Sequence, residues 1–146
     1  MRNLQTDILI NATPDQVWAT LTDFPAYPEW NPFIRKLEGP VRTGESIVAH
    51  LSLDGQKTQV FRPVVKDYQP GQGFRWLGHL FIPGLFDGEH YFQLEALPEG
   101  GTRLIHGENF SGLLAGVIMW FIGAQTQSGF ERMNAALKER VEKGTA

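Results

Sequence analysis

The chain has 146 residues, 42% of them hydrophobic, which predicts one domain over residues 1–146 with a sizeable buried core. Its net charge is −3 and its 13 Lys and Arg residues are scattered, which argues against nucleic acid or an anionic membrane as the main partner. The sequence contains no cysteine, so disulfides and thiolate metal sites are excluded.

The first 32 residues predict a strand followed by two short helices. Residues 4–11 alternate between apolar and polar as a strand does. Thr13-Pro14-Asp15-Gln16 forms a capping box with proline at the first helical position, which predicts a helix over residues 14–22. Three prolines between residues 25 and 32 forbid a long helix there, but they allow a short helical turn over residues 26–30.

The middle of the chain predicts about six more strands joined by tight turns. Strand character covers residues 33–38, 45–53, 57–68, 73–81, 86–97 and 102–110. Asp54-Gly55 is the clearest hairpin signal, because it lies between two strand-like runs. We expect these strands to pair antiparallel with their neighbours in sequence.

The last stretch, residues 112–143, contains no proline and predicts one long amphipathic helix. Its apolar residues recur at helical spacing: Met119, Ile122, Phe130, Met133, Leu137 and Val141. The apolar run 113–122 has no polar side. It is shorter than the roughly 20 residues that span a bilayer, and the amino terminus lacks a signal peptide, so we expect a cytoplasmic protein without a transmembrane segment.

These elements predict an α+β fold in which a curved antiparallel sheet of about seven strands wraps around the long helix. Strands lie about 4.8 Å apart, so such a sheet is far wider than one helix of about 10 Å diameter. The sheet must therefore curl around the helix, and we expect the curl to leave an apolar cavity beneath it.

Several segments resemble one protein superfamily. Ala12-Thr13-Pro14-Asp15-Gln16-Val17-Trp18, with the aromatic and proline-rich stretch that continues to Pro32, looks like the opening of START-like proteins. The resemblance is narrower to the polyketide cyclase/dehydrase and lipid-transport proteins grouped as SRPBCC. Gly88-Glu89-His90-Tyr91-Phe92 and Gly129-Phe130-Glu131-Arg132-Met133-Asn134 are also similar to bacterial members. The match covers nearly the whole chain.

The resemblance implies the birch-pollen-allergen helix-grip fold, with a deep pocket for lipids, sterols, polyketides or hormones. It does not imply one chemistry, because members include carriers, cyclases, hydratases and co-chaperones. No catalytic motif is shared across the family, so none is transferred to this chain. A ligand carrier, a cyclase or dehydratase, and a protein-interaction module resembling stress co-chaperones remain the three alternatives, and none requires a metal or redox cofactor.

Strand parity places three polar side chains, His90, His106 and Glu108, on the inward face of the last hairpin. A histidine beside a carboxylate in an apolar pocket suits acid–base catalysis, with His106 or His90 as the base and Glu108 as its orienting partner. Alternatively, the groups satisfy one another or orient a ligand, which is the interpretation we favour. They do not form a recognised metal-binding motif.

A set of large apolar side chains is predicted to line the cavity: Trp30, Phe33, Trp76, Phe81, Phe92, Phe110, Met119 and Phe130. Each alone is typical of ordinary core, but together they exceed what a filled core of this size requires. We expect the outer side of the run 113–122 to pack against the protein's own loops. A dimer contact or transient membrane contact is the alternative, so monomer and homodimer both stay open.

Overall fold

The computed structural model describes residues 2–53, 57–80 and 82–144. Its strands are β1 (Arg2–Ile10), β2 (Ile34–Glu38), β3 (Val48–Leu51), β4 (Gln59–Phe61), β5 (Val64–Gln69), β6 (Gly73–Leu80), β7 (Phe86–Ala96) and β8 (Thr102–Ser111). Its helices are α1 (Pro14–Leu21), α2 (Tyr27–Trp30) and α3 (Ala115–Gly144), and a 3-10 turn over Phe24–Ala26 precedes α2. The predicted turn Asp54-Gly55 and the predicted lining residue Phe81 lie outside the described residues.

Helix α1 begins at the capping box that the sequence predicts. The amide of Gln16 donates to Thr13 Oγ1 at 3.2 Å, and the amide of Thr13 donates to Gln16 Oε1 at 2.8 Å. These two bonds satisfy amides that the first turn of a helix leaves unpaired. After α1, the buried Tyr27 hydroxyl donates to the carbonyl of Leu21, which ties α2 back to the end of α1.

The described strands pair antiparallel and form two sheets. The larger has the order β1-β8-β7-β6-β5, and the smaller has the order β2-β3-β4. Helix α3 packs against β1, β7 and β8. Its buried residues are Ala115, Thr126, Gly129, Phe130, Met133, Asn134, Leu137 and Val141. The predicted α+β class, with an antiparallel sheet and a long carboxyl-terminal helix, is confirmed, although the described strands divide into five plus three.

The single strand predicted over residues 57–68 is wrong, because the structure divides it into β4 and β5. The interruption falls at Arg62-Pro63, and proline has no amide hydrogen to contribute to a ladder. Here the carbonyl of Pro63 accepts from the amide of Ile47 at 3.0 Å, and the amide of Val65 donates to Glu45 at 2.9 Å. These bonds join the end of the larger sheet to the segment that leads into β3.

The outer side of the run 113–122 does not pack against the protein's own loops, which corrects our expectation. Leu113, Val117, Trp120 and Phe121 are exposed, with Trp120 at 79% and Phe121 at 70%. The amides of Leu113 and Leu114 donate to the carbonyls of Gly84 and Leu85 in the loop before β7, yet the four side chains remain exposed. Within the described ranges, no helix is long and apolar enough to cross a membrane.

Candidate functional site

A cavity of about 140 Å³ lies between α3 and the inner faces of the two sheets. Its wall is mostly apolar, and aromatic rings from several strands contribute much of it. The lining residues are Phe33, Ala49, Leu51, Leu53, Gln59, Phe61, Pro63, Trp76, Gly78, His79, Leu80, Phe86, Gly88, His90, Glu108, Phe110, Ile118, Ile122 and Thr126. Alternate residues of β3, β4, β7 and β8 recur in this set, because successive side chains of a strand point to opposite faces.

The structure separates the predicted lining residues into two groups. Phe33, Trp76 and Phe110 line the cavity, whereas Trp30, Phe92, Met119 and Phe130 do not. Phe92 and Phe130 instead stack against the imidazole of His106, each with a ring-centroid distance of 4.3 Å. Trp30 packs edge-on against Tyr27 at 5.2 Å. Phe92 and Phe130 also contact the lining His90, each at 5.1 Å, so these two rings support the cavity wall from behind.

The predicted polar set comes together on the β7–β8 hairpin. His90 and Glu108 are direct cross-strand partners, and His90 Nδ1 lies 3.1 Å from Glu108 Oε1. His106 pairs with Phe92 across the same ladder. Its Nε2 lies 2.8 Å from His90 Nε2, so the two imidazoles form a direct hydrogen bond. The hairpin therefore builds a continuous chain from Glu108 through His90 to His106.

Two further residues extend this chain into the core. Asn134 of α3 lies with its Oδ1 2.9 Å from His106 Nδ1, and its Nδ2 donates to Thr6 Oγ1 at 2.8 Å. The Thr6 hydroxyl then donates to the backbone carbonyl of His106 at 2.9 Å. We call the five side chains, Glu108, His90, His106, Asn134 and Thr6, the polar relay.

The direction of each hydrogen bond between Thr6 and His90 follows from the Thr6 end of the polar relay. A carbonyl only accepts, so the Thr6 hydroxyl must donate to the carbonyl of His106 and accept from the Asn134 amide. Asn134 Oδ1 therefore accepts from His106 Nδ1–H. Neutral His106 then offers Nε2 as an acceptor, so His90 must carry a proton on its own Nε2.

One proton consequently remains to be shared between His90 Nδ1 and Glu108 Oε1. Either His90 is an imidazolium that donates to a carboxylate, or a protonated Glu108 donates to a neutral imidazole. Both arrangements give the His90–Glu108 pair the same total number of protons. The polar relay is thus fixed in direction from Thr6 to His90 Nε2, and the proton between His90 and Glu108 has two possible positions.

His106 is held neutral by its surroundings. Its side chain has no exposed surface, and burial, followed by the neighbouring His90, lowers its pKa well below the usual 6.5. It does not line the cavity, whereas His90 and Glu108 do. Glu108 is the more accessible of the two, with 18% of its side chain exposed against 3% for His90. A ligand in the cavity therefore meets Glu108 first, with His106 behind it.

Gly88 provides the space in which the Glu108 carboxylate lies. Gly88 faces the cavity two residues before His90 on β7, and a β-carbon at this position would collide with Glu108 Oε2. Because glycine has no side chain, the carboxylate can lie against the backbone of β7. This arrangement places Oε1 toward His90 and Oε2 on the cavity wall beside Gly88.

Sequence reasoning did not identify Thr6, Gly88 or Asn134 as parts of the site. Asn134 had a detectable signal, since it occupies a buried position four residues after Phe130 in the apolar stripe of α3. An amide in such a stripe needs a buried partner. Thr6 and Gly88 carry no comparable signal, because threonine and glycine are ordinary in strands and turns. Among the described residues, no group of three His, Cys, Asp or Glu side chains is arranged so that it could hold a metal ion.

We expect the protein to lose stability as the pH falls below about 6.5, because of His106. Its pKa in the folded protein lies below the usual 6.5, so between these two values only the unfolded chain binds the proton. The contribution of His106 to the free energy of unfolding is complete above about pH 6.5. It declines as the pH falls from there toward the lower pKa of the folded protein, by up to about 1.4 kcal/mol per pH unit.

Urea unfolding at about pH 7.5, 6.5 and 5.5, with NMR of the imidazole carbon-bound protons, measures both sides of this linkage. The unfolding midpoint should fall over the lower interval while the His106 resonances of the folded protein stay unchanged. A folded-state titration of His106 near pH 6.5 would contradict the expectation.

Comparisons with known proteins agree with this architecture. The sequence profile described as "Polyketide cyclase / dehydrase and lipid transport" matches residues 1–142. No curated protein matches the sequence. Among solved structures, the Zhui aromatase/cyclase from Streptomyces sp. R1128 superposes with a TM-score of 0.79 at 16% identity, over 99% of this chain and 96% of that one.

Two other solved structures are similar to this chain. A START superfamily protein from Mycobacterium smegmatis gives a TM-score of 0.71 at 20% identity, covering 97% of both chains. Ara h 8.0201 gives 0.66 at 16% identity, over 97% of this chain and 98% of that one. At these identities the superpositions establish the shared helix-grip fold.

Proposed function

Because the chain belongs to the polyketide cyclase/dehydrase and lipid-transport family, we propose that it binds a small apolar molecule in the cavity beneath α3. The observation that carries this proposal is the wall itself. Aromatic and aliphatic side chains form most of the wall, and the few polar side chains on it include Glu108, which is held in place by His90. Ligand sites commonly combine an apolar lining with a few polar groups that fix orientation.

The volume limits the part of the ligand that the cavity encloses. A cavity of about 150 Å³ lined by apolar side chains holds benzene, whereas sites for drug-sized ligands run from about 300 Å³ upward. At about 140 Å³, this cavity suits one ring or a short branched chain. A larger lipid or polyketide would extend beyond it.

Filling the cavity should abolish binding. Gly78 lines it, and a β-carbon there would meet only Pro63 at an ordinary 3.6 Å, so valine fits the strand and projects into the space. We expect toluene, followed by the fluorescence of the lining Trp76, to bind at least about tenfold more weakly to Gly78→Val than to the parent protein.

Gln93→Val is the matched control, because it adds the same side chain to the exposed outer face of the neighbouring strand β7. This variant should bind toluene as the parent does. Failure of the parent protein to bind toluene, or unchanged binding by Gly78→Val, would reject the proposed cavity function.

An acid–base enzyme of the cyclase or dehydratase type is the second candidate, and the polar relay favours it. A carboxylate at the wall, backed by two imidazoles and an amide, is an arrangement that can take a proton from a bound carbonyl compound and hold it. In this interpretation Glu108 and His90 exchange the proton with substrate, and His106 holds His90 in the required tautomer.

Deuterium exchange at the central carbon of 2,4-pentanedione, a diketone small enough for the cavity, tests this candidate. Positioned acid–base groups contribute about 10²–10⁴-fold, so the protein should accelerate exchange well above the rate in buffer. Glu108→Gln should lose that acceleration and still bind toluene. Equal rates with the parent protein, with Glu108→Gln and in buffer would reject an acid–base role.

A further inference from the structure

The second carboxylate oxygen of Glu108, Oε2, faces the cavity as a hydrogen-bond acceptor whichever way the shared proton lies. Oε1 is the atom bonded to His90 Nδ1, so it either accepts the imidazole proton or carries the proton that it donates. Oε2 carries no proton in either case. It lies beside Gly88 on the wall, and the bond from the carboxylate to His90 uses the other oxygen, Oε1.

The rest of the described wall offers an anion no cationic side chain that is free of a carboxylate partner. The described residues that line the cavity include no Lys or Arg, the lining His79 is already paired with Asp87 through Nδ1 at 2.7 Å, and Gln59 is an uncharged amide. The Thr126 hydroxyl already donates to the carbonyl of Ile122 at 2.9 Å within α3. Both ring nitrogens of His90 are already bonded, Nε2 to His106 and Nδ1 to Glu108. A carboxylate enclosed here would lose its hydration without gaining a cationic partner, which is strongly unfavourable.

We propose that the cavity selects an uncharged single-ring compound bearing a hydrogen-bond donor, such as a phenol, and rejects aryl carboxylates. The ring occupies the space among Phe33, Trp76 and Phe110, and its O–H donates to Glu108 Oε2. This inference rests on the proposed binding function, and it names the ligand class. It also orients the ligand, since the donor end must point toward β7 and β8 while the rest of the ring contacts α3.

Four probes of similar size separate these features: p-cresol, its isomer anisole, toluene and benzoate. Calorimetric titration at about pH 7.5 should give p-cresol about tenfold tighter binding than anisole or toluene, the worth of one buried hydrogen bond. Benzoate should bind at least about 100-fold more weakly than p-cresol. The isomer pair is informative because p-cresol and anisole have the same atoms and differ in the donor.

Two variants of Glu108 assign the preference to this residue. Glu108→Met removes the acceptor and should reduce p-cresol binding to the level of anisole. Glu108→Gln keeps an acceptor, because its amide NH₂ can donate to a neutral His90 and leave the amide oxygen on the wall. It should therefore retain the preference for p-cresol. Circular dichroism and urea unfolding of both variants show that they remain folded.

Equal binding of p-cresol and anisole by the parent protein would overturn the inference, as would benzoate binding at the level of p-cresol. If toluene binds in either case, the proposed cavity function survives and the proposed ligand selectivity of the cavity fails. Retention of the p-cresol preference in folded Glu108→Met would also overturn it. If none of the four probes binds, the proposed function itself fails, and the inference fails with it.

Discussion

Replacing Phe130 with alanine should lower the free energy of unfolding by about 3–5 kcal/mol. The ring has no exposed surface, and it contacts Phe33 edge-on at 5.3 Å, His90 at 5.1 Å and His106 at 4.3 Å. Truncation leaves a void between α3 and the β7–β8 hairpin, because the aromatic rings around it are packed on the sheet and cannot all move inward.

Urea denaturation followed by circular dichroism measures this loss as a shift in midpoint at constant slope. Phe121→Ala is the matched control, since it removes the same ring from the same helix at a position that is 70% exposed. Exposed substitutions usually change stability by less than about 0.5 kcal/mol. Similar losses from the two variants would show that Phe130 does not hold α3 onto the hairpin.

The β7–β8 hairpin shows how far sequence reasoning reaches. Period-two alternation placed His90, His106 and Glu108 on one face, and a short turn fixed the antiparallel pairing that brings them together. Parity therefore identifies which side chains share a face. It does not give the rotamers that direct His90 Nδ1 to Glu108 and Nε2 to His106, because those depend on the rings packed around each imidazole.

Strand β5 shows where parity fails, and why. The sequence over residues 57–68 has apolar residues in both phases, so no inward face was assigned. In the structure, Val65 pairs with Trp76 and Tyr68 pairs with Phe74, with a register shift between Val65 and Asp67. One extra residue in a bulge exchanges the two faces, so odd positions point inward before it and even positions after it.

Which buried side chains line the cavity depends on how the helix and the sheets are positioned relative to one another, and no single strand or helix contains that information. Phe92 and Phe130 are large apolar residues on the buried sides of β7 and α3, as cavity-lining residues would be. Both rings stack on the imidazole of His106 instead. Whether a buried ring faces empty space or another ring depends on how α3 is positioned over the sheet. Sequence periodicity predicts the buried side of each element but not the gap between two such sides.

Replacing Asn134 with leucine should destabilise the protein by about 2–4 kcal/mol, although the two side chains are similar in size. The substitution removes the acceptor of His106 Nδ1–H and the donor to Thr6 Oγ1, both of which are buried. Each buried polar group left without a partner costs about 1–3 kcal/mol. Gln127→Leu, which replaces an exposed amide on the same helix with the same side chain, should leave stability nearly unchanged.

The same substitution should also change the protonation pattern of the polar relay, which a merely structural amide would not do. With Asn134 present, neutral His106 carries its proton on Nδ1 and accepts at Nε2. Without that acceptor, the Nε2–H tautomer becomes populated, and His90 must then present a lone pair where it now donates. Nitrogen-15 chemical shifts of the two imidazoles report these states directly.

An unchanged Nδ1–H tautomer in Asn134→Leu would show that α3 does not set the direction of the relay. A shifted tautomer that leaves the preference for p-cresol intact is the expected result, because Glu108 Oε2 remains an acceptor when His90 donates from Nδ1.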